Sequence, residues 1–189
     1  MSLIVTAKDI IDRGFNWRDI YYFYKKNWLK IGDIKSFIDY FLQYNNNEEL
    51  TNFLWVNDNN TYDIEVFLKK KSLLQDISSI NIIEYVLVSL YKEDNYQFFL
   101  ETVEGLWEDF LNPPILERLV PYLPLDQKLI MGDDTYIGEN NYHDKITNIL
   151  NFIRVNKLSS SIKNKELKSS NRDLCARQPF NNNIKKQRP

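Results

Sequence analysis

NIIEYVLVSLYKEDNYQFFLETVEGLWEDF, residues Asn81–Phe110, reads as two consecutive helices that turn most of their apolar surface inward. In the second half, Tyr96, Phe99, Leu100, Val103, Leu106, Trp107 and Phe110 recur at steps of three and one, which places them on one face of a 3.6-residue helix. Glu101, Glu104, Glu108 and Asp109 fall on the opposite face. In the first half, Ile82, Ile83, Tyr85, Val86, Leu87, Val88, Leu90 and Tyr91 leave almost no polar side, the pattern of a helix buried on most sides. Asn81 and Glu84 stand at capping-box spacing, so the first helix is expected to begin there, and Lys92–Asn95 turns the pair.

Upstream, helix start and stop signals follow one another closely. Thr6 caps a short helix to Arg13, and Gly14 occupies the left-handed position that ends it. Phe15-Asn-Trp-Arg-Asp-Ile20 starts another, with Asn16 and Asp19 as reciprocal caps and Phe15 stapled on Ile20. Trp17, Ile20, Tyr21, Tyr24 and Trp28 carry its inward stripe. Gly32-Asp33 is expected to cap a third helix bearing Ile34, Phe37, Ile38 and Phe41, which Asn45–Asn47 breaks. Glu48–Trp55 and Asp63–Lys71 read as helices separated by the turn-forming Asn57–Asn60 run, with three lysines at the C-terminal dipole of the second.

Downstream, Pro113 and Pro114 open a short helix halted by Pro121, Leu125–Gly138 is irregular, and Glu139–Asn156 is the last helix. Leu3–Val5 and Lys128–Met131 are too short to count as strands. The expectation is one all-α domain over residues 1–157, about eight helices packed as antiparallel helical hairpins, followed by a disordered basic tail over 158–189.

Charge divides along the same boundary. Residues 1–157 carry sixteen Lys and Arg against twenty-four Asp and Glu, whereas 158–189 carry eight against two. An acidic body repels nucleic acid and attracts basic partners. Met1–Asp9 lacks a basic region followed by an apolar run. Ile80–Tyr91, the longest apolar segment, is interrupted by Asn81, Glu84 and Ser89 and falls short of the roughly 20 residues that span a bilayer. With a single cysteine, Cys175, these features lead to the expectation of a cytoplasmic protein bound to neither membrane nor nucleic acid.

Chemistry finds few footholds in the sequence. Asp133, Asp134 and the lone His143 form the one grouping that a metal-dependent hydrolase would use, yet the alternation and closing Glu of a calcium loop are missing. No Gly-rich phosphate loop and no nucleophile elbow occur, so no cofactor is expected. Trp17, Trp28, Trp55 and Trp107 lack basic interleaving and read as core rather than as base-stacking platforms. The candidate partner-binding residues are therefore acidic and aromatic: Glu101, Glu104, Glu108 and Asp109 on the helix face, with Asp133, Asp134, Tyr136 and Glu139 in the loop beyond.

Four stretches, Phe15–Ile20, Leu106–Phe110, Leu119–Pro124 and Glu139–Phe152, resemble a bacterial family of unknown function, small helical proteins of which some serve as immunity proteins in polymorphic toxin systems. The resemblance spans roughly residues 10–155, and the segment from 158 departs from the family pattern. It implies a non-enzymatic binder whose partner is a protein such as a basic toxin domain. The alternatives are a metal-dependent hydrolase using Asp133, Asp134 and His143, and a helical scaffold without a toxin partner.

Overall fold

The structure, a computed structural model, describes residues 3–93, 95–119 and 141–157. Seven α-helices run in order, α1 Ala7–Arg13, α2 Trp17–Lys25, α3 Ile31–Leu42, α4 Glu48–Leu54, α5 Thr61–Ser72, α6 Ser79–Tyr91 and α7 Tyr96–Asp109, followed by a 3₁₀ helix, Pro114–Leu119. Residues 142–157 are also helical. A lone parallel bridge between Val5 and Leu29 is the only β pairing among the described residues. The fold is all-α, as the sequence implies. The first compact unit ends at Leu150. The tail expected over 158–189, the loop 125–138 and the candidate strand Lys128–Met131 lie outside the described residues.

Local sequence sets the first helices. Thr6 accepts from the Asp9 amide while Asp9 accepts from the Thr6 amide, a reciprocal cap for α1. Gly14, at φ 64°, ends α1 in a Schellman turn: Gly14 N–H donates to Ile11 O and Phe15 N–H to Ile10 O. Asn16 and Asp19 then cap α2 as their spacing requires. Asn47, Asn60 and Asn95 each accept a backbone amide at the starts of α4, α5 and α7.

Two starts differ from expectation. α3 begins at Ile31, so Gly32 and Asp33 lie within its first turn, and Asp33 Oδ1 instead accepts from the Ala7 amide at 3.3 Å. α6 begins at Ser79 and carries Asn81 and Glu84 inside it; Ser78, its N-cap, makes no side-chain cap bond. The cap comes from another helix. Asp19, wholly buried, accepts from Asn16 N–H at 3.1 Å and from Ser78 N–H at 2.7 Å, so one carboxyl organises the starts of both α2 and α6.

Helix pairing is partly sequential and partly long-range. α4 lies antiparallel on α5: Glu49 meets Lys70 at 2.9 Å and also Lys71, while Phe53 stacks on Phe67 with centroids 3.9 Å apart. α5 also packs antiparallel on the distant α2, where Trp17 meets Phe67 and both Tyr21 and Lys25 meet Glu65. The aromatic centre is Phe23, edge-on to Phe15 and to Tyr85 of α6. α6 buries Ile82, Ile83, Tyr85, Val86, Leu87 and Leu90, which makes it the helix covered on most sides. In α7 the buried line is Phe99, Thr102, Val103 and Leu106, with Tyr96, Leu100, Trp107 and Phe110 half-buried at its edges. The tryptophans are not a core set. Trp55, the residue that follows α4, is 85 % exposed, and the other three are half-buried. The segment opened by Pro113 and Pro114 is 3₁₀ rather than α, with Leu116 and Leu119 buried.

Candidate functional site

The acidic face of α7 meets the end of α2 through a backbone device. Asn27 takes φ 57°, and the paired bonds Asn27 N–H to Tyr24 O and Trp28 N–H to Phe23 O, both 3.0 Å, form a second Schellman turn. This turn stops α2 and aims the chain so that Trp28 O accepts from Val5 N–H at 2.7 Å. Trp28 is thereby fixed beside α7. Between them is a cleft of about 200 Å³ lined by Lys26, Trp28, Phe98, Glu101, Gly105 and Asp109. That volume is below the ~300–1,000 Å³ of small-molecule sites and suits one side chain.

Along α7 the cleft has a regular construction. Glu101, Gly105 and Asp109 are four residues apart, one above another on the same helix face, so the two carboxylates are separated by roughly 12 Å with a bare turn between them. A Cβ added at Gly105 would meet nothing within 4 Å. Glycine inside a helix costs about 1 kcal/mol relative to alanine, and no neighbour requires its absence of side chain here.

Residues 7–168 match the model of a family described as an uncharacterized protein conserved in bacteria, DUF2247. The chain belongs to that family. The match continues past 157 into the basic segment, further than the resemblance over 10–155 suggests. No curated protein and no solved structure matches the chain.

Within this DUF2247 chain the four helix-face candidates separate into two kinds. Glu101, Glu104 and Glu108 are exposed, and Glu101 accepts from Gln97 Nε2 at 2.9 Å. Asp109 is also exposed but is paired within the fold: its Oδ2 accepts from Tyr22 Oη and from Lys26 Nζ, both at 2.6 Å. Burial first, then the hydrogen bond to Asp109, pushes the Tyr22 phenol far above its ordinary value. The Lys26 charge is answered within the fold, and it also sits 5.8 Å over the Tyr22 ring.

The loop candidates Asp133, Asp134, Tyr136 and Glu139 lie outside the described residues. His143 is half-buried, with its ring 4.0 Å from that of Tyr142 and edge-on to Tyr91 at 5.3 Å. Among the described residues no three His, Cys, Asp or Glu side chains gather as metal ligands. No helix among them is long and apolar enough to cross a membrane.

A second cleft of about 310 Å³ lies between the N-terminal segment and α6, lined by Leu3, Ile4, Tyr85, Ser89, Lys92 and Glu93. Its polar groups serve the fold. Tyr85 Oη donates to Ile4 O at 3.2 Å, and burial, then the Asp9 charge, raises its phenol well above the usual range. Partial burial pulls the Asp9 carboxyl upward, but hydrogen bonds from Thr6 outweigh it and hold the group below its ordinary value. The α2–α7 cleft is the site that sequence reasoning missed. Gly105, a glycine in the middle of an amphipathic helix, was its one visible signal.

Proposed function

We propose that this chain is a non-enzymatic cytoplasmic binding protein that meets a basic protein partner with the outward face of α7, in the manner of an immunity protein covering the active cleft of a toxin. The supporting observation is that Glu101, Glu104 and Glu108 stand exposed on a helix whose other face is locked into the core by Phe99, Val103 and Leu106. A carboxylate row on a rigid helix attracts a basic surface over a distance of about a Debye length and meets it without reordering. Toxins that act on nucleic acid carry such basic clefts, because their substrate is a polyanion.

The test is co-purification of the full-length chain from its native cell, identification of the bound protein, and assay of that protein with and without the chain. The expected result is a basic partner whose activity falls at stoichiometric addition. Recovery of no partner, or of one whose activity is unaffected, contradicts the reading. Stoichiometric binding of Mg²⁺ or Mn²⁺ that disappears when Asp133 and Asp134 become Asn would replace it with a metal-dependent hydrolase.

A further inference from the structure

We propose that the cleft over Gly105 receives a single arginine side chain of the partner, with the guanidinium between Glu101 and the aromatic rings of Trp28 and Phe98. This proposal rests on the binding reading above and names the group that the surface recognises. Three features, two on α7 and one just past the end of α2, converge on it. Gly105 leaves a turn of α7 bare where nothing in the fold fills the space, so that the helix gives up stability for an opening. Trp28, set by the left-handed Asn27, supplies an aromatic wall opposite, and Phe98 supplies another.

The charge at the cleft is unbalanced in favour of a cation. Of its three charged lining groups, Lys26 and Asp109 answer each other at 2.6 Å, which leaves Glu101 as the remaining charge, with the exposed Glu108 on the same helix. Arginine fits this set better than lysine does. Its planar, weakly hydrated guanidinium stacks on aromatic faces while donating in its plane to a carboxylate. An anionic or purely apolar side chain would desolvate Glu101 without answering its charge, since its hydrogen-bond partner, Gln97, is neutral.

The experiment is an NMR titration of the ¹⁵N-labelled full-length protein with N-acetyl-arginine methylamide, and with the neutral citrulline analogue as control. The Trp28 indole and Gly105 amide resonances should move with arginine and not with citrulline. Glu101→Gln, which keeps the shape and removes the charge, should weaken the response about tenfold. Gly105→Leu, which fills the opening, should abolish it while the remaining amide spectrum is preserved. Gly105→Ala is the milder second variant, expected to weaken the response and raise Tm. Equal shifts from both probes, or an arginine response that survives in Gly105→Leu, would overturn the inference. The same variants separate it from the broader reading: an identified partner that binds Gly105→Leu as tightly as wild type removes the arginine cleft and leaves the binding function. An arginine response with no basic protein partner does the reverse.

Discussion

α6 and α7 follow one another in the chain and use their apolar residues to different ends. α6 is covered on most sides, and its N-terminus is held by Asp19 from another helix. α7 confines burial to one line of four residues, caps itself with Asn95, and keeps a bare glycine turn and three exposed glutamates on its other side. The difference separates a helix whose surface is mostly committed to stability from one that gives half of its surface to solvent. Charged side chains elsewhere reinforce the contrast. Glu49 and Glu65 on α4 and α5 each meet lysines of neighbouring helices, and so act as surface ties within the fold.

Substitutions in α6 should have the largest effects. Ile83→Ala removes a fully buried side chain and leaves a cavity, with an expected loss of about 3–4 kcal/mol by urea denaturation. A loss below about 1 kcal/mol would mean that α6 is not the centre of the core. Next comes the link between the two helix starts. Asp19→Ala leaves the Asn16 and Ser78 amides without their acceptor and should cost about 2–3 kcal/mol. In hydrogen exchange the first turn of α6 should lose protection along with that of α2, since both depend on the one carboxyl; protection lost in α2 alone would break the comparison.

What was legible in the sequence was what neighbours in sequence decide. Thr6 with Asp9, Gly14, and Asn16 with Asp19 act within five residues, so their spacing alone places the ends of α1 and the start of α2. The start of α6 was not legible, because its acceptor lies 59 residues upstream. For the same reason the pairing of Asp109 was not legible: the hydroxyl that binds it belongs to Tyr22, 87 residues away. The cleft needs Trp28 from the end of α2 and Gly105 from α7, and no local pattern joins them. Trp55 misled because tryptophan is buried on average, whereas this one, at the C-cap of α4, is exposed.

The end of α7 offers an effect of opposite sign. Leu111 and Asn112 both take left-handed backbone, at φ 56° and 59°, and Leu111 closes a Schellman turn while 89 % exposed. Leucine is strained there and buries almost nothing, so Leu111→Gly should stabilise the protein by about 1 kcal/mol, read as a rise in Tm. A fall in Tm would show that the Leu111 side chain contributes to the fold. The outward face should be the least sensitive of all. Glu101→Lys and Glu108→Lys should each change stability by no more than about half a kcal/mol, a clear contrast with Ile83.

That contrast leads to the measurement that bears most directly on the division of labour in α7: the association rate of the co-purified partner with the Glu101→Lys, Glu108→Lys double variant, by stopped flow at low and at physiological ionic strength. The double variant should keep the wild-type Tm to within a few degrees. Its association should be about tenfold slower at low salt and much less dependent on salt, because the two reversals remove the field that steers a basic partner. An unchanged rate with an unchanged salt dependence would contradict the account, and the outward face of α7 would then be solvated surface with no part in recognition.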